Sequence, residues 1–112
     1  MIGQAFVFGA LLVFAGCQSS DVSRSLGARC ATSSECTDRC LAETVGYPGG
    51  FCTTNCTTSV ECAETANCAD REGGVCLLIC NFDEDCLFLG TGWTCKDTDT
   101  RDATKVKLCR GD

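Results

Sequence analysis

Histidine is absent from the 112 residues, which removes the commonest general base and the commonest metal ligand together. Basic residues stand singly and never form a run, so nothing is built to neutralise a phosphate backbone and no nucleic-acid partner is expected. The net charge is −6, with no acidic residue before Asp21; that balance keeps a small domain soluble. The one long apolar run, AFVFGALLVFAG from Ala5 to Gly16, is shorter than the roughly 20 residues that cross a membrane. Beyond it, large apolar side chains are sparse, too few for a self-sufficient core.

Cysteine is abundant instead. Thirteen in 112 residues exceed the roughly 8–10 per cent that marks a disulfide scaffold. Twelve fall into three copies of one pattern. Cys30-x5-Cys36-x3-Cys40-x11-Cys52 comes first, then Cys56-x5-Cys62-x5-Cys68-x7-Cys76, then Cys80-x5-Cys86-x8-Cys95-x13-Cys109. The opening gap is constant, and the joints Cys52-x3-Cys56 and Cys76-x3-Cys80 are identical. Glu35, Glu61 or Asp85 precedes the second cysteine of each copy, and Gly-Gly stands two residues before Cys52 and just before Val75-Cys76. Zinc sites favour C-x2-C pairs, which the chain lacks, so the thiols are read as disulfides and no metal or other cofactor is expected. Spacing alone leaves three pairings within each copy.

Cys17 stands apart from the repeats. The uncharged stretch before it has the length of a signal-peptide h-region, and the small pair Ala15-Gly16 directly precedes it. The segment resembles the bacterial lipobox. That resemblance implies cleavage between Gly16 and Cys17 and a diacylglycerol on Cys17, the protein's link to a membrane. Parity agrees, since removing Cys17 leaves an even dozen. Gln18 follows the cysteine where aspartate would favour inner-membrane retention in well-studied lipoproteins, so the resemblance points to the outer membrane. The domain reading is therefore a signal peptide over 1–16, a lipidated cysteine and flexible tether over 17–29, and a disulfide-rich domain over 30–112 with repeats 30–52, 56–76 and 80–109. The polar residues Gln18 to Ala28 are expected to be extended and mobile.

Within the repeats, Tyr47-Pro48-Gly49-Gly50 and Arg71-Glu72-Gly73-Gly74 read as turns feeding short ribbons. Val75 to Cys80 reads as the best strand. Lys96 to Lys105, rich in Asp and Thr, reads as a long loop. No stretch beyond a turn or two has helical periodicity, so the fold class is small and disulfide-rich, with short irregular β-ribbons and little or no helix. Leu77, Leu78, Ile79, Phe82, Leu87, Phe88, Leu89 and Trp93 are expected to pack as the largest apolar cluster, or in part to form an exposed contact patch.

Three further motifs need weighing. Asn81–Asp85 and Asp97–Asp102 cluster oxygen ligands of the kind calcium prefers, without the glycine and glutamate positions of an EF-hand; they read as solvated loops. Arg110-Gly111-Asp112 spells the integrin-binding tripeptide away from the inter-cysteine loop that displays it in disintegrins. Asn55-Cys56-Thr57 matches a glycosylation acceptor with an unsuitable middle residue. No catalytic constellation emerges, because serine and cysteine nucleophiles lack a histidine base.

In style, though not in gap lengths, the stapled repeats resemble EGF-like modules. That likeness implies first-to-third and second-to-fourth pairing: Cys30 with Cys40, Cys36 with Cys52, Cys56 with Cys68, Cys62 with Cys76, Cys80 with Cys95, and Cys86 with Cys109. As a whole the chain resembles the small cysteine-rich lipoproteins of myxobacteria and related bacteria. The resemblance implies a lipid-anchored, non-enzymatic protein of the cell envelope, periplasmic or surface-facing, that presents a binding or structural module to a protein or glycan ligand. The alternative is a secreted cysteine-rich inhibitor or toxin-like effector.

Overall fold

The computed structural model describes residues 22–112. The leader, the Gly16–Cys17 site and the first part of the tether lie outside the described residues. The fold is a small disulfide-rich one made of short antiparallel strand pairs and loops. Strands β1 (Arg39–Leu41) and β2 (Phe51–Thr53) form the first hairpin, β3 (Ala66–Ala69) and β4 (Val75–Leu78) the second, and β5 (Thr94–Asp99) and β6 (Lys105–Arg110) the third. Helix among the described residues is limited to short 3-10 segments, the longest being Asp83–Leu89.

Each hairpin places the third cysteine of its copy directly opposite the fourth: Cys40 faces Cys52, Cys68 faces Cys76 and Cys95 faces Cys109. These facing cysteines are not bonded to each other. The bridges run Cys30–Cys40, Cys36–Cys52, Cys56–Cys68, Cys62–Cys76, Cys80–Cys95 and Cys86–Cys109. In each copy the loop between the first two cysteines is thus stapled over the hairpin at both strands. Such a bridge contributes about 2–4 kcal/mol, mainly by restricting the unfolded chain.

The turns follow from their residues. Gly50 N–H donates to the Tyr47 carbonyl, and Gly49 and Gly50 both take positive φ, open to glycine without a Cβ clash. A Cβ on Gly50 would lie 1.7 Å from the Cys30 carbonyl oxygen, and one on Gly74 would lie 2.3 Å from that of Cys56. The glycines before the closing cysteines therefore make room for the start of their own copy.

Two expectations need correction. Lys96 to Lys105 is not a loop: residues up to Asp99 belong to β5, and the reversal occupies Thr100–Ala103, with Ala103 N–H donating to the Thr100 carbonyl. The Asp-Thr-Asp-Thr alternation has the two-residue period of a strand. Thr98 and Thr100 are buried while Asp97 and Asp99 face solvent.

Nor is the tether free along its length. Ser23 and Leu26 exchange backbone hydrogen bonds, Gly27 N–H donates to Cys52, and Cys52 N–H donates to Ala28. Arg24 Nε donates to the Glu35 carbonyl, and Leu26 is buried. One apolar side chain and the open edge of β2 are enough to dock the segment. The same pairing recurs before the later copies, where Cys76 N–H donates to Thr54, Asn55 bridges Val75, and Ile79 bridges Leu108. The repeating unit therefore begins before its first cysteine.

The three hairpins share one core. Leu26, Leu41, Tyr47 and Phe51 from the first copy join Val75, Leu77, Leu89, Trp93 and Leu108 from the others. Trp93 lies 5.1 Å from Phe51 and 6.1 Å from Tyr47, measured between ring centroids. Its indole N–H donates to the Pro48 carbonyl at 3.1 Å.

Candidate interaction surface

The acidic residue before each second cysteine has a local task. Glu35 Oε1 accepts the backbone N–H groups of Ala31 and Thr32, Glu61 Oε1 those of Thr57 and Thr58, and Asp85 Oδ2 those of Asn81 and Phe82. Backbone donors just after the opening cysteine are thereby satisfied by a carboxylate at the 3-10 turn. The hydrogen bonds from Ala31, Thr57 and Asn81 are the main reason that the three carboxyls titrate below their ordinary values.

A second recurring contact was not anticipated. Ser33 Oγ accepts the N–H of Cys40, Ser59 Oγ that of Cys68, and Asp83 Oδ1 that of Cys95. Each acceptor sits three residues after an opening cysteine. The signal was a fixed position holding Ser, Ser and Asp, together with the Thr-x-x-Glu spacing of the first two copies.

These contacts decide what the suspected ligand clusters do. In the window Asn81–Asp85, Asp83 and Asp85 serve backbone amides. In the window Asp97–Asp102, Asp99 pairs with Lys105 at 2.8 Å and Asp102 accepts the N–H of Ser59. Three sulfurs of each copy come within 4.8 Å of one another, but every one is in a bridge, whereas the metal ligand would be a thiolate. The Arg110-Gly111-Asp112 tripeptide closes on itself: Arg110 Nε donates to Asp112 Oδ1 at 3.0 Å, and Arg71 donates to Asp112 Oδ2 at 2.5 Å. Its two charges are thus turned toward the protein. Asn55 is engaged as well, its Oδ1 accepting from Arg39.

An open groove of about 630 Å³ is lined by Arg29, Glu35, Glu43 and Gly49 among others. Its width and its mixed charges select no ligand chemistry.

The apolar cluster expected in the third copy divides in two. Leu77, Leu78, Leu89 and Trp93 are buried, whereas Phe82, Leu87, Phe88 and Ile79 keep 67, 60, 52 and 43 per cent of their surface exposed. The 3-10 helix Asp83–Leu89 explains the division, because its side chains align every third residue. Asp83, Cys86 and Leu89 make the inward row, with Cys86 and Leu89 buried. Asp85 and Phe88, continuing from Phe82 at the cap, make the next row, and Glu84 and Leu87 the third. Ile79 meets Phe88 and Asp85 across a cleft of about 210 Å³, completed by Thr65 and Leu78.

The other copies act as an internal control. Where Phe82 stands they have Thr32 and Thr58, and their 3-10 turns at this place end at Glu35 and Glu61. The extra Leu87-Phe88-Leu89 exists only because the third copy has eight residues between its second and third cysteines. Leu89 and Trp93 from this insertion fill the core, while Leu87 and Phe88 do not. Comparison of the chain with protein-family models, with curated proteins and with solved structures finds no match.

Proposed function

We propose that this chain is a lipid-anchored, non-enzymatic protein of the bacterial cell envelope that presents a disulfide-stapled binding module. The observation that carries the reading is the cysteine count. All twelve described cysteines are bridged, leaving none of them to pair with Cys17, which follows Ala15-Gly16 at the end of an apolar leader. The reading of the module as non-enzymatic rests on the missing histidine and on carboxylates committed to backbone amides.

Docking of Ser23–Ala28 sharpens the picture of the anchor. Four residues separate Cys17 from Val22, and the five steps along the backbone reach at most about 18 Å. The module then rides close to the surface that holds it. The lipoprotein resemblance, with Gln18 after the lipidated cysteine, supports an outer-membrane placement facing the periplasm or the outside.

The test is the intact mass of protein extracted from membranes. A mass that begins at Cys17 and carries a diacylglycerol and an acyl chain supports the reading. An unlipidated protein released into the medium overturns it in favour of a secreted inhibitor.

A further inference from the structure

Among exposed apolar side chains of the described residues, Phe82, Leu87, Phe88 and Ile79 are grouped on one helix and the strand end beside it. Val22, Val45 and Val60 lie in other segments of the chain. Exposure of this kind opposes folding and solubility, and contiguous apolar surface marks contact sites. A cleft of about 210 Å³ is smaller than the roughly 300–1,000 Å³ of small-molecule pockets; it has room for a single long side chain.

The walls specify that side chain. Ile79, Leu78 and Phe88 supply an apolar lining with an aromatic ring, and Asp85 and Thr65 complete it. Asp85 Oδ2 is taken by the amides of Asn81 and Phe82, while Oδ1 has no partner among the described residues. An apolar lining that includes a carboxylate matches a lysine or arginine, whose methylene stem lies on apolar surface while its cation reaches a charge. The Phe88 ring adds attraction for the cation. The helix that carries Phe88 also carries the acidic run Asp83, Glu84 and Asp85, and the net charge is −6.

We propose that this surface docks a basic, amphipathic segment of a partner protein, with one lysine or arginine in the Ile79–Phe88 cleft and apolar neighbours covering Phe82 and Leu87. The proposal rests on the binding-module reading above and names the partner's chemistry. A second copy of the chain is disfavoured, because two like patches would bring their acidic runs together. A lipid surface is disfavoured because exposed Glu84 lies between Phe82 and Leu87 in sequence, and burying an ionised carboxylate in lipid is costly.

The probe is a fluorescently labelled peptide of leucine and lysine at helical spacing, with a leucine–glutamate peptide as control. The protein is the full chain carrying Cys17→Ser, which takes no lipid, so failure here leaves the anchoring question to the mass measurement. Binding of the lysine peptide alone is expected, weakened about tenfold or more by Phe82→Thr with Phe88→Ser. That variant keeps every charge and installs at position 82 the residue found at Thr32 and Thr58. Native bridges in the variant, mapped without reduction, show that it is folded.

Equal binding by the variant would reduce the effect to net charge and overturn the proposal. Binding instead to phosphatidylcholine–phosphatidylglycerol vesicles, or a concentration-dependent dimer abolished by the variant, would overturn it in favour of a lipid surface or a second copy.

Discussion

Trp93 donates its indole N–H to the carbonyl of Pro48, joining residues 45 positions apart. Pro48 lies in the turn of the first copy and Trp93 in the insertion of the third, so this contact closes the array across its ends. Replacing Trp93 by phenylalanine removes the donor and part of the ring packed on Tyr47 and Phe51. A lost hydrogen bond with an orphaned acceptor costs about 1–3 kcal/mol. Denaturant unfolding with the six bridges intact is expected to show a destabilisation of that order, and an unchanged midpoint would refute the closure.

Glycine substitutions separate crowding from backbone strain. A Cβ at Gly50 meets the Cys30 carbonyl, whereas one at Gly73 meets nothing within 4 Å, although both residues have positive φ. Gly73→Ala is expected to cost about 1–2 kcal/mol, the penalty of a left-handed residue, and to oxidise normally. Gly50→Ala is expected to lower sharply the yield of correctly bridged protein on refolding. Equal yields for the two variants would count against the close approach.

The three capping carboxylates predict an acid response. Their titration lies below the ordinary values of 4.5 for Glu35 and Glu61 and 3.8 for Asp85. A depressed folded-state value means that the stabilising contribution is fully present above the ordinary value and is lost as pH falls through the lowered one. Amide-exchange protection at Thr58 is therefore expected to hold at pH 6 and to decline only as pH falls below the ordinary 4.5. Glu61→Gln should remove that pH dependence at Thr57 and Thr58 while leaving Ala31 and Thr32 unaffected.

Asp112 responds further down the scale. Its hydrogen bond with Arg110 comes first among the causes that hold its carboxyl at about 2. The Arg71–Asp112 link between the second and third copies should therefore persist through pH 4 and open only as pH falls toward 2. A carboxyl carbon shift that titrates near 3.8 would show the link to be absent in solution.

The bridges are expected to be unequal. Cys86 and Cys109 lie 23 positions apart and both are buried, while Cys30 and Cys40 lie 10 positions apart and are partly exposed. Loop closure alone makes the longer bridge worth about 0.7 kcal/mol more. Paired Cys→Ala variants, compared by thermal unfolding, should show a larger loss for Cys86–Cys109.

Much of the fold is legible in the spacing of the cysteines. Constant gaps after Cys30, Cys56 and Cys80 locate the copies, and paired glycines locate the first two turns, because sterics at those points are local. Glu35, Glu61 and Asp85 stand out by position, but their role does not, since recognising a cap requires knowing that a 3-10 turn begins there. Thr94–Asp99 was hidden by composition: aspartate is rare in strands, and only its alternation with threonine marks the pleat. The division of the apolar residues between core and surface depends on which row of a 3-10 helix faces inward. Trp93 reaching Pro48 is a tertiary event with no periodic signature.

Gly111 has a wider consequence. A Cβ there would lie 2.1 Å from Pro48 Cδ and 2.4 Å from the Gly46 carbonyl oxygen, so the segment leaving the third copy is pressed against the turn of the first. Repeat proteins that stack in a line can gain or lose units, because each touches only its neighbours. Here the first and third units touch as well, and inserting another between the second and third would pull Gly111 and Trp93 away from Pro48. The three described copies therefore form a closed arrangement and not an extendable row.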